Sequence, residues 1–283
     1  MEIKRTGKED IIKRNYFESI EYLTFPALDE TGIVTHLFST RLGGVSEGIF
    51  QTMNLSYTRG DRKEAVDENF ARIARALGRR TSDFVCSDQT HTTNIRKVTA
   101  DDRGKGVVRE KDYTDVDGLI TNEPGIVLAT FYADCVPLFF VDTVHKAIGL
   151  SHSGWRGTVD KIGACTLEAM GAEYGTAAED VVAAIGPSIC GKCYEVGADV
   201  AEEFSKAFTK EMLSDILHEK GNKKYLLDLW RANYHVLTEA GISPQNISIT
   251  DICTCCNPEY LFSHRASQGK RGNLGAFLSI CQT

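Results

Sequence analysis

The sequence predicts a single α/β domain in which mixed β-sheets stack between flanking helices. Three observations carry that expectation. Nine short apolar runs have strand length rather than helix length. Most of them fall early, so that five or more strands precede the second of four amphipathic helices. A strictly alternating βαβ order, the mark of a doubly wound parallel sheet, is therefore absent. No internal repeat, low-complexity segment or Pro/Ser-rich linker divides the chain, and residues 1–283 read as one domain with residues 1–30 as a peripheral N-terminal extension.

The expected strands are Val34–Ser39, Val85–Ser87, Ile95–Val98, Gly118–Ile120, Val127–Tyr132, Leu138–Val141, Ala147–Ser151, Val181–Ile185 and Ile247–Ile252. The first helix is capped by Asp61, with Glu64 three residues on. Val66, Phe70, Ile73 and Leu77 share one face, and Gly78 follows the last turn. The second runs from Thr158 to Tyr174 and stops at Gly175. The third covers Gly197 to Leu217, and the fourth Leu226 to Ala240 before Gly241.

The composition, 42% hydrophobic and 25% charged, is that of a globular protein long enough to bury a core without staples. A metal, if bound, is then expected to serve function. The net charge of −7 argues against nucleic-acid and membrane-surface partners. Lys4, Arg5 and Lys8 beside Glu9 and Asp10 read as a solvated tail or edge. The opening residues lack an apolar leader, and the apolar stretch Ile126–Val141 is broken by Asp134 and Pro137. A cytoplasmic protein with reduced thiols is expected, its nine cysteines serving as packing groups, metal ligands or nucleophiles.

Three segments place chemistry-bearing side chains at strand ends. Tyr132-Ala-Asp-Cys-Val-Pro137 sets Cys135 at a strand break, where it could be a metal-bound thiolate, a nucleophile activated by a histidine, or a small buried apolar group. Ala147-Ile-Gly-Leu-Ser-His-Ser-Gly-Trp-Arg-Gly-Thr158 sets His152 after a strand and Gly154 and Arg156 in the turn before a helix. That turn suits an anion and could also be a plain connection. Gln89-Thr-His-Thr-Thr-Asn94 adds His91 between two short strands. Two histidines and one cysteine are a donor set for catalytic zinc with an open fourth position. Cys135 with His152 as base could equally form a metal-free hydrolase pair. Arg41 precedes two glycines, and His264 and Arg265 follow Phe262. These are further phosphate-binding candidates or surface ion-pair residues, with Arg41 also taken as catalytic.

Cys190-Gly-Lys-Cys193 and Cys253-Thr-Cys-Cys256 could form a structural zinc site or carry redox chemistry, but the second segment is irregular, which leaves neighbouring reduced cysteines as the expected reading. No H-E-x-x-H, P-loop, G-x-G-x-x-G or zinc-deaminase signature occurs. No His-x-His pair of the multicopper oxidases occurs either.

Seven segments together resemble the YfiH/YlmD family of laccase-domain or polyphenol oxidase proteins. They are Ser39-Thr-Arg-Leu-Gly-Gly-Val-Ser46, Gln89-Thr-His91, Asp115-Val-Asp-Gly-Leu-Ile120, Ala133-Asp-Cys-Val-Pro137, His152-Ser-Gly-Trp-Arg-Gly-Thr158, Gly186-Pro-Ser-Ile189 with Tyr194-Glu-Val196, and Phe262-Ser-His-Arg265. The likeness runs from Thr35 to Ile280. It implies a YfiH-like fold related to the catalytic domain of a deamidating toxin. It implies zinc, with copper possible, held by His91, Cys135 and His152. It further implies phosphorolysis of adenosine, inosine and methylthioadenosine, deamination of adenosine, and a monomer or small homo-oligomer. Phenol oxidation with copper is the family's other attributed activity. The chain departs from the family pattern at Gly272-Asn273, where Gly-Arg is common, and at His264, where Tyr is common.

Overall fold

The computed structural model describes residues 2–7 and 11–281. The chain begins with β1 (Lys13–Phe17), β2 (Ile20–Thr24), α1 (Pro26–Asp29), β3 (Val34–Ser39), α2 (Lys63–Ala76), β4 (Phe84–Cys86) and β5 (Ile95–Lys97). Next come β6 (Gly118–Thr121), β7 (Val127–Tyr132), β8 (Val136–Asp142), β9 (Ala147–Ser153), α3 (Trp155–Val159), α4 (Ile162–Tyr174) and β10 (Val181–Ile185). It finishes with β11 (Glu195–Gly197), α5 (Ala198–Ala207), α6 (Lys210–Ile216), β12 (Leu217–Gly221), β13 (Lys224–Leu227), α7 (Leu229–Glu239), β14 (Ile247–Ile249), α8 (His264–Ser267) and β15 (Leu274–Ile280).

Two six-stranded mixed sheets, β1-β2-β3-β15-β7-β4 and β14-β10-β8-β9-β6-β5, stack face to face. A small three-stranded sheet, β11-β13-β12, stands apart. Side-chain alternation assigns the central strands to two cores at once. In β8, Phe139 and Val141 face the space between the sheets, while Leu138 and Phe140 face the helices. In β15, Leu274, Ala276 and Leu278 point inward, and Phe277 packs under α2 with Val66, Phe70 and Ile73. The other sheet is covered by α4 and α7, through Ile162, Met170, Val236 and Leu237. The layers therefore run helix, sheet, sheet, helices, as the mixed stacked reading expects. Strands covered on both faces lose the apolar–polar alternation and read as plain apolar runs.

Several boundaries differ from the expectation. Arg62, not Asp61, stands at the N-cap of α2, and the Asp61 carboxylate accepts from Arg62 N and Asn54 Nδ2. The second expected helix is two, because Lys161 takes a left-handed φ of +61° between α3 and α4. The third breaks at Phe208, where Thr209 caps α6 by accepting from Met212 N. The fourth starts only after Asp228, whose carboxylate caps α7, and Leu226 and Leu227 belong to β13. Strand β9 continues through Ser153, so His152 lies within it, opposite Pro137 of β8. Residues 11–30, part of the stretch expected as a peripheral extension, supply the outer hairpin of one sheet and bury Ile12, Leu23, Phe25 and Leu28. Arg5 pairs with Asp251, while Lys8, Glu9 and Asp10 lie outside the described residues. Among the described residues, no helix is long and apolar enough to cross a membrane.

Candidate metal centre

The chain passes from one sheet to the other at the turn between β7 and β8, and Cys135 sits in that turn. Asp134 before it has φ +91°, a conformation costly for a residue with a side chain unless its neighbours hold it. They do so on both ends. Its carboxylate accepts from Thr254 Oγ1 at 2.6 Å and Arg265 N at 2.7 Å, and its carbonyl accepts from Ile189 N at 3.0 Å. His152 comes from the end of β9, and His91 from the loop that follows β4, at φ +69°.

These three side chains converge. Their ligand atoms all lie within 4.8 Å of one another, and Cys135 Sγ is 4.0 Å from His91 Nε2. The two imidazoles stand edge to face with centroids 5.0 Å apart. A fourth residue, Asp117 just before β6, organises them. Its buried carboxylate accepts from His152 Nδ1 at 2.8 Å, Thr92 N at 2.9 Å, Thr90 N at 3.0 Å and His91 N at 3.2 Å. An ionised Asp117 keeps the His152 proton on Nδ1, which leaves Nε2 as the atom able to bind a metal.

The electrostatics are those of a coupled set. Burial alone would raise the Asp117 pKa, but the hydrogen bonds from His152, Thr92 and Thr90 hold it down to about 2. Burial would also raise the Cys135 thiol, but His152 first and then His91 bring it to about 6. Burial would lower His152, and the facing Cys135 and Asp117 instead raise it to about 9. Both shifts run in the direction of a thiolate facing an imidazolium. A bound cation would take the place of the imidazolium proton.

The residues fit zinc in donor type and in space. A soft thiolate and two imidazoles leave one of four positions open. Gly154, placed by the sequence at the turn before α3, keeps that set compact. A Cβ there would come 2.7 Å from His91 Cδ2 and 3.3 Å from Cys135 Sγ. Gly154→Ala is therefore expected to push His91 aside and weaken zinc binding about tenfold or more, as read by competition with a chromophoric chelator. Unchanged affinity would show that His91 is free to move without cost.

The triad opens into a cleft of about 1230 Å³, lined also by Arg59, Gln89, Tyr113, Phe131 and Arg271. The other residues singled out by sequence lie elsewhere. Arg41, expected to be catalytic and to bind phosphate, donates to Gln51 O at 2.8 Å and Pro258 O at 2.6 Å and covers the Phe262 ring, so its fork ties two loops together. Arg265 donates to Glu195 O at 2.9 Å and covers Tyr194, which makes it a buttress behind Asp134. Arg156 lies over its neighbour Trp155 at 4.3 Å. Exposed His264 has its pKa lowered by desolvation and then by Arg271 and Arg59.

Two contributors escaped the sequence reading. Asp117 stood inside the quoted Asp115-Val-Asp-Gly block without a role. Arg271, 8% exposed, lines the cleft from the position before Gly272. Burial first and Arg59 second lower its pKa to about 10, and its buried Nε has no hydrogen-bond partner among the described residues. Arg59 and Arg271 together make this wall of the cleft strongly positive.

The family model described as multi-copper polyphenol oxidoreductase laccase matches residues 35–281. Purine nucleoside phosphorylase YlmD of Bacillus subtilis is 35% identical over 247 residues, covering 86% of this chain and 87% of its own. A purine nucleoside phosphorylase of Bacteroides thetaiotaomicron is 36% identical over 254 residues, covering 89% of this chain and 93% of its own. The crystal structure of YlmD from Geobacillus stearothermophilus superposes with a TM-score of 0.88 at 33% identity, covering 96% of this chain and all of that one.

Proposed function

The chain belongs to the multi-copper polyphenol oxidoreductase laccase family, and on that premise we propose that it is a zinc enzyme that phosphorolyses purine nucleosides. Adenosine, inosine and S-methyl-5'-thioadenosine are the proposed substrates, with adenosine deamination as a second activity. The observation that carries the proposal is the open His91, Cys135 and His152 triad at the wall of a cleft that also holds the buried Arg271. Relatives that share this chain over most of their length are named purine nucleoside phosphorylases.

In phosphorolysis the C1'–N9 bond breaks, a C1'–oxygen bond to phosphate forms, and the departing purine takes up a proton. Arg271 and Arg59 supply the charge to hold phosphate beside the ribose. Phe131 and Tyr113 offer aromatic surface to the purine. Asp117 fixes the His152 ring. Zinc, held by His91, Cys135 and His152, would polarise a substrate oxygen and make water nucleophilic near neutral pH. Sequence reading placed phosphate at Arg41, Gly154, Arg156, His264 and Arg265. Of these, Gly154 abuts the triad and His264 lies close enough to the two cleft arginines to feel their charge. The nine unpaired cysteines support a reducing, cytoplasmic setting. A monomer or small homo-oligomer is proposed, with nucleoside and phosphate as its ligands.

The test is incubation of the purified protein with adenosine and phosphate, with products separated by mass. Adenine with ribose 1-phosphate supports the proposal, and inosine adds deamination. Neither product from zinc-loaded protein would overturn it. Phenol oxidation with added copper would then favour the oxidase that the family's description names, since Cys and His also suit copper. Turnover that survives chelation but not Cys135 alkylation would favour a Cys135–His152 hydrolase, which the thiolate–imidazolium pair supports.

Arg271→Ala is expected to raise KM for phosphate by about tenfold to a hundredfold with zinc content unchanged, because it removes a charge-assisted contact worth about 1.5–3 kcal/mol. Steady-state kinetics with phosphate as the varied substrate reads it. An unchanged phosphate KM would move the anion elsewhere.

A further inference from the structure

We propose that Cys190, Cys193, Cys253 and Cys256 form a second metal site, which takes Zn2+ as four thiolates and serves structure. Cys190-Gly-Lys-Cys193 is a regular C-x-x-C, and Cys253-Thr-Cys-Cys256 reads as irregular. The fold removes the irregularity. Cys255 is not part of the converging set, so Cys253 and Cys256 form a second C-x-x-C with Cys255 between them. The two pairs are the knuckles of a closed four-cysteine zinc site.

The placement follows from the sheet. Strands β10 and β14 pair in parallel, Ala183 opposite Ile247, and the chain continues from both in step. Thr250 N donates to Ile185 O at 2.9 Å, Ser188 bridges to Cys253, and Thr254 N donates to Ser188 O at 3.1 Å. Each knuckle thus leaves a neighbouring strand at the same level. The first closes as a turn, with Cys193 N donating to Cys190 O at 2.9 Å.

The four sulfurs lie within 4.8 Å of one another, and the Cys193 and Cys256 sulfurs are 3.4 Å apart. Zinc–sulfur bonds of about 2.3 Å in a tetrahedron need sulfurs roughly 3.8 Å apart, so the cluster has the size of the site. Cys190 N donates to Cys253 Sγ at 3.2 Å, the kind of contact that steadies a metal thiolate. Cys190 and Cys253 are buried, and Cys193 and Cys256 are half-buried. Binding Zn2+ releases four thiol protons and leaves a net charge of −2. Lys192 of the first knuckle and Arg265, which approaches Cys193 O at 3.5 Å, stand nearby to offset it.

Four protein ligands leave no open position, so this site holds rather than reacts. What it holds is the support of Cys135. Ile189, just before the first knuckle, and Thr254, inside the second, both bind Asp134, the strained residue before Cys135. A metal here would lock the two loops that fix the turn carrying the triad cysteine.

The experiment measures zinc per chain by mass spectrometry in the full-length protein purified under reducing conditions, and in Cys135→Ala and Cys193→Ser/Cys256→Ser variants. Two zinc ions are expected in the native chain and one in each variant. Cys135→Ala thus reports the triad separately. Should the double variant fail to fold, Co2+ loading of Cys135→Ala keeps the question open to measurement. An intense thiolate-to-cobalt charge-transfer band is expected there, and strong chelation should release four more reactive thiols together with a fall in melting temperature. A single zinc in the native chain that Cys135→Ala abolishes would overturn the proposal. So would a Cys135→Ala protein without the cobalt band, or a mass showing these cysteines as disulfides in the reduced preparation.

Discussion

Cys135→Ala is expected to strip zinc from the triad and to cut nucleoside turnover by about 10³-fold or more. The magnitude follows from what the side chain supplies. Loss of Cys135 leaves two neutral imidazoles, and it removes the one anionic ligand of the set. A Lewis acid at a reacting oxygen contributes several kcal/mol, and about 4 kcal/mol is a thousandfold in rate. The substitution is small and the turn is held by Asp134 rather than by Cys135 itself, so the fold is expected to survive. Zinc analysis and turnover on adenosine or inosine with phosphate are the paired measurements. Full metal content with full activity would sink the role of Cys135. Full activity without metal would point instead to chemistry carried by the arginines and the nucleoside-binding walls alone.

The ease with which these residues could be read from sequence followed from how local their signals are. Cys135 and His152 stood out because each sits at a strand end beside residues that break a strand, Asp134 and Pro137 for one and Gly154 for the other. Their meeting could not be read from spacing, because it depends on β7 and β8 lying in different sheets and on the register that sets Pro137 opposite His152. Asp117 carried no signal, since a carboxylate that orients a histidine can approach from any strand. Arg41 carried an ambiguous one. An arginine before paired glycines resembles an anion site, and its guanidinium here donates to the carbonyls of Gln51 and Pro258. Arg271 was hidden because it precedes Gly272, two positions before the arginine of the Gly-Arg pattern expected at Gly272-Asn273. Among the strands, β15 was missed although it lies at the centre of its sheet. Its Leu-Gly-Ala-Phe-Leu-Ser-Ile run is buried on both faces and has neither alternation nor helical period. The split between α3 and α4 was invisible for the opposite reason. The apolar pattern continues across Lys161, and only its left-handed backbone breaks the helix.

Asp117→Asn is expected to weaken zinc binding about 10- to 100-fold and to lower turnover at least as much. The argument rests on a proton. Asp117 offers only acceptors to His152 Nδ1, so Nδ1 carries hydrogen and Nε2 is free to bind metal. An asparagine amide can turn its donor toward the ring, which favours the other tautomer and blocks Nε2. The oxygen that remains cannot also satisfy Thr90, His91 and Thr92 as a carboxylate does. Stability should fall with it, and the pH dependence has a definite sign. The folded pKa of about 2 lies below the usual 3.8, so the carboxylate stabilises the fold above about pH 4. That contribution fades as the pH drops toward about 2. Urea denaturation should therefore separate native protein from Asp117→Asn clearly at pH 7, with the gap closing in acid. Zinc affinity, measured separately by chelator competition at pH 7, distinguishes an orienting role from a merely structural one. A variant that is destabilised yet binds zinc and turns over like the native chain would show that Asp117 supports the loop and not the His152 tautomer.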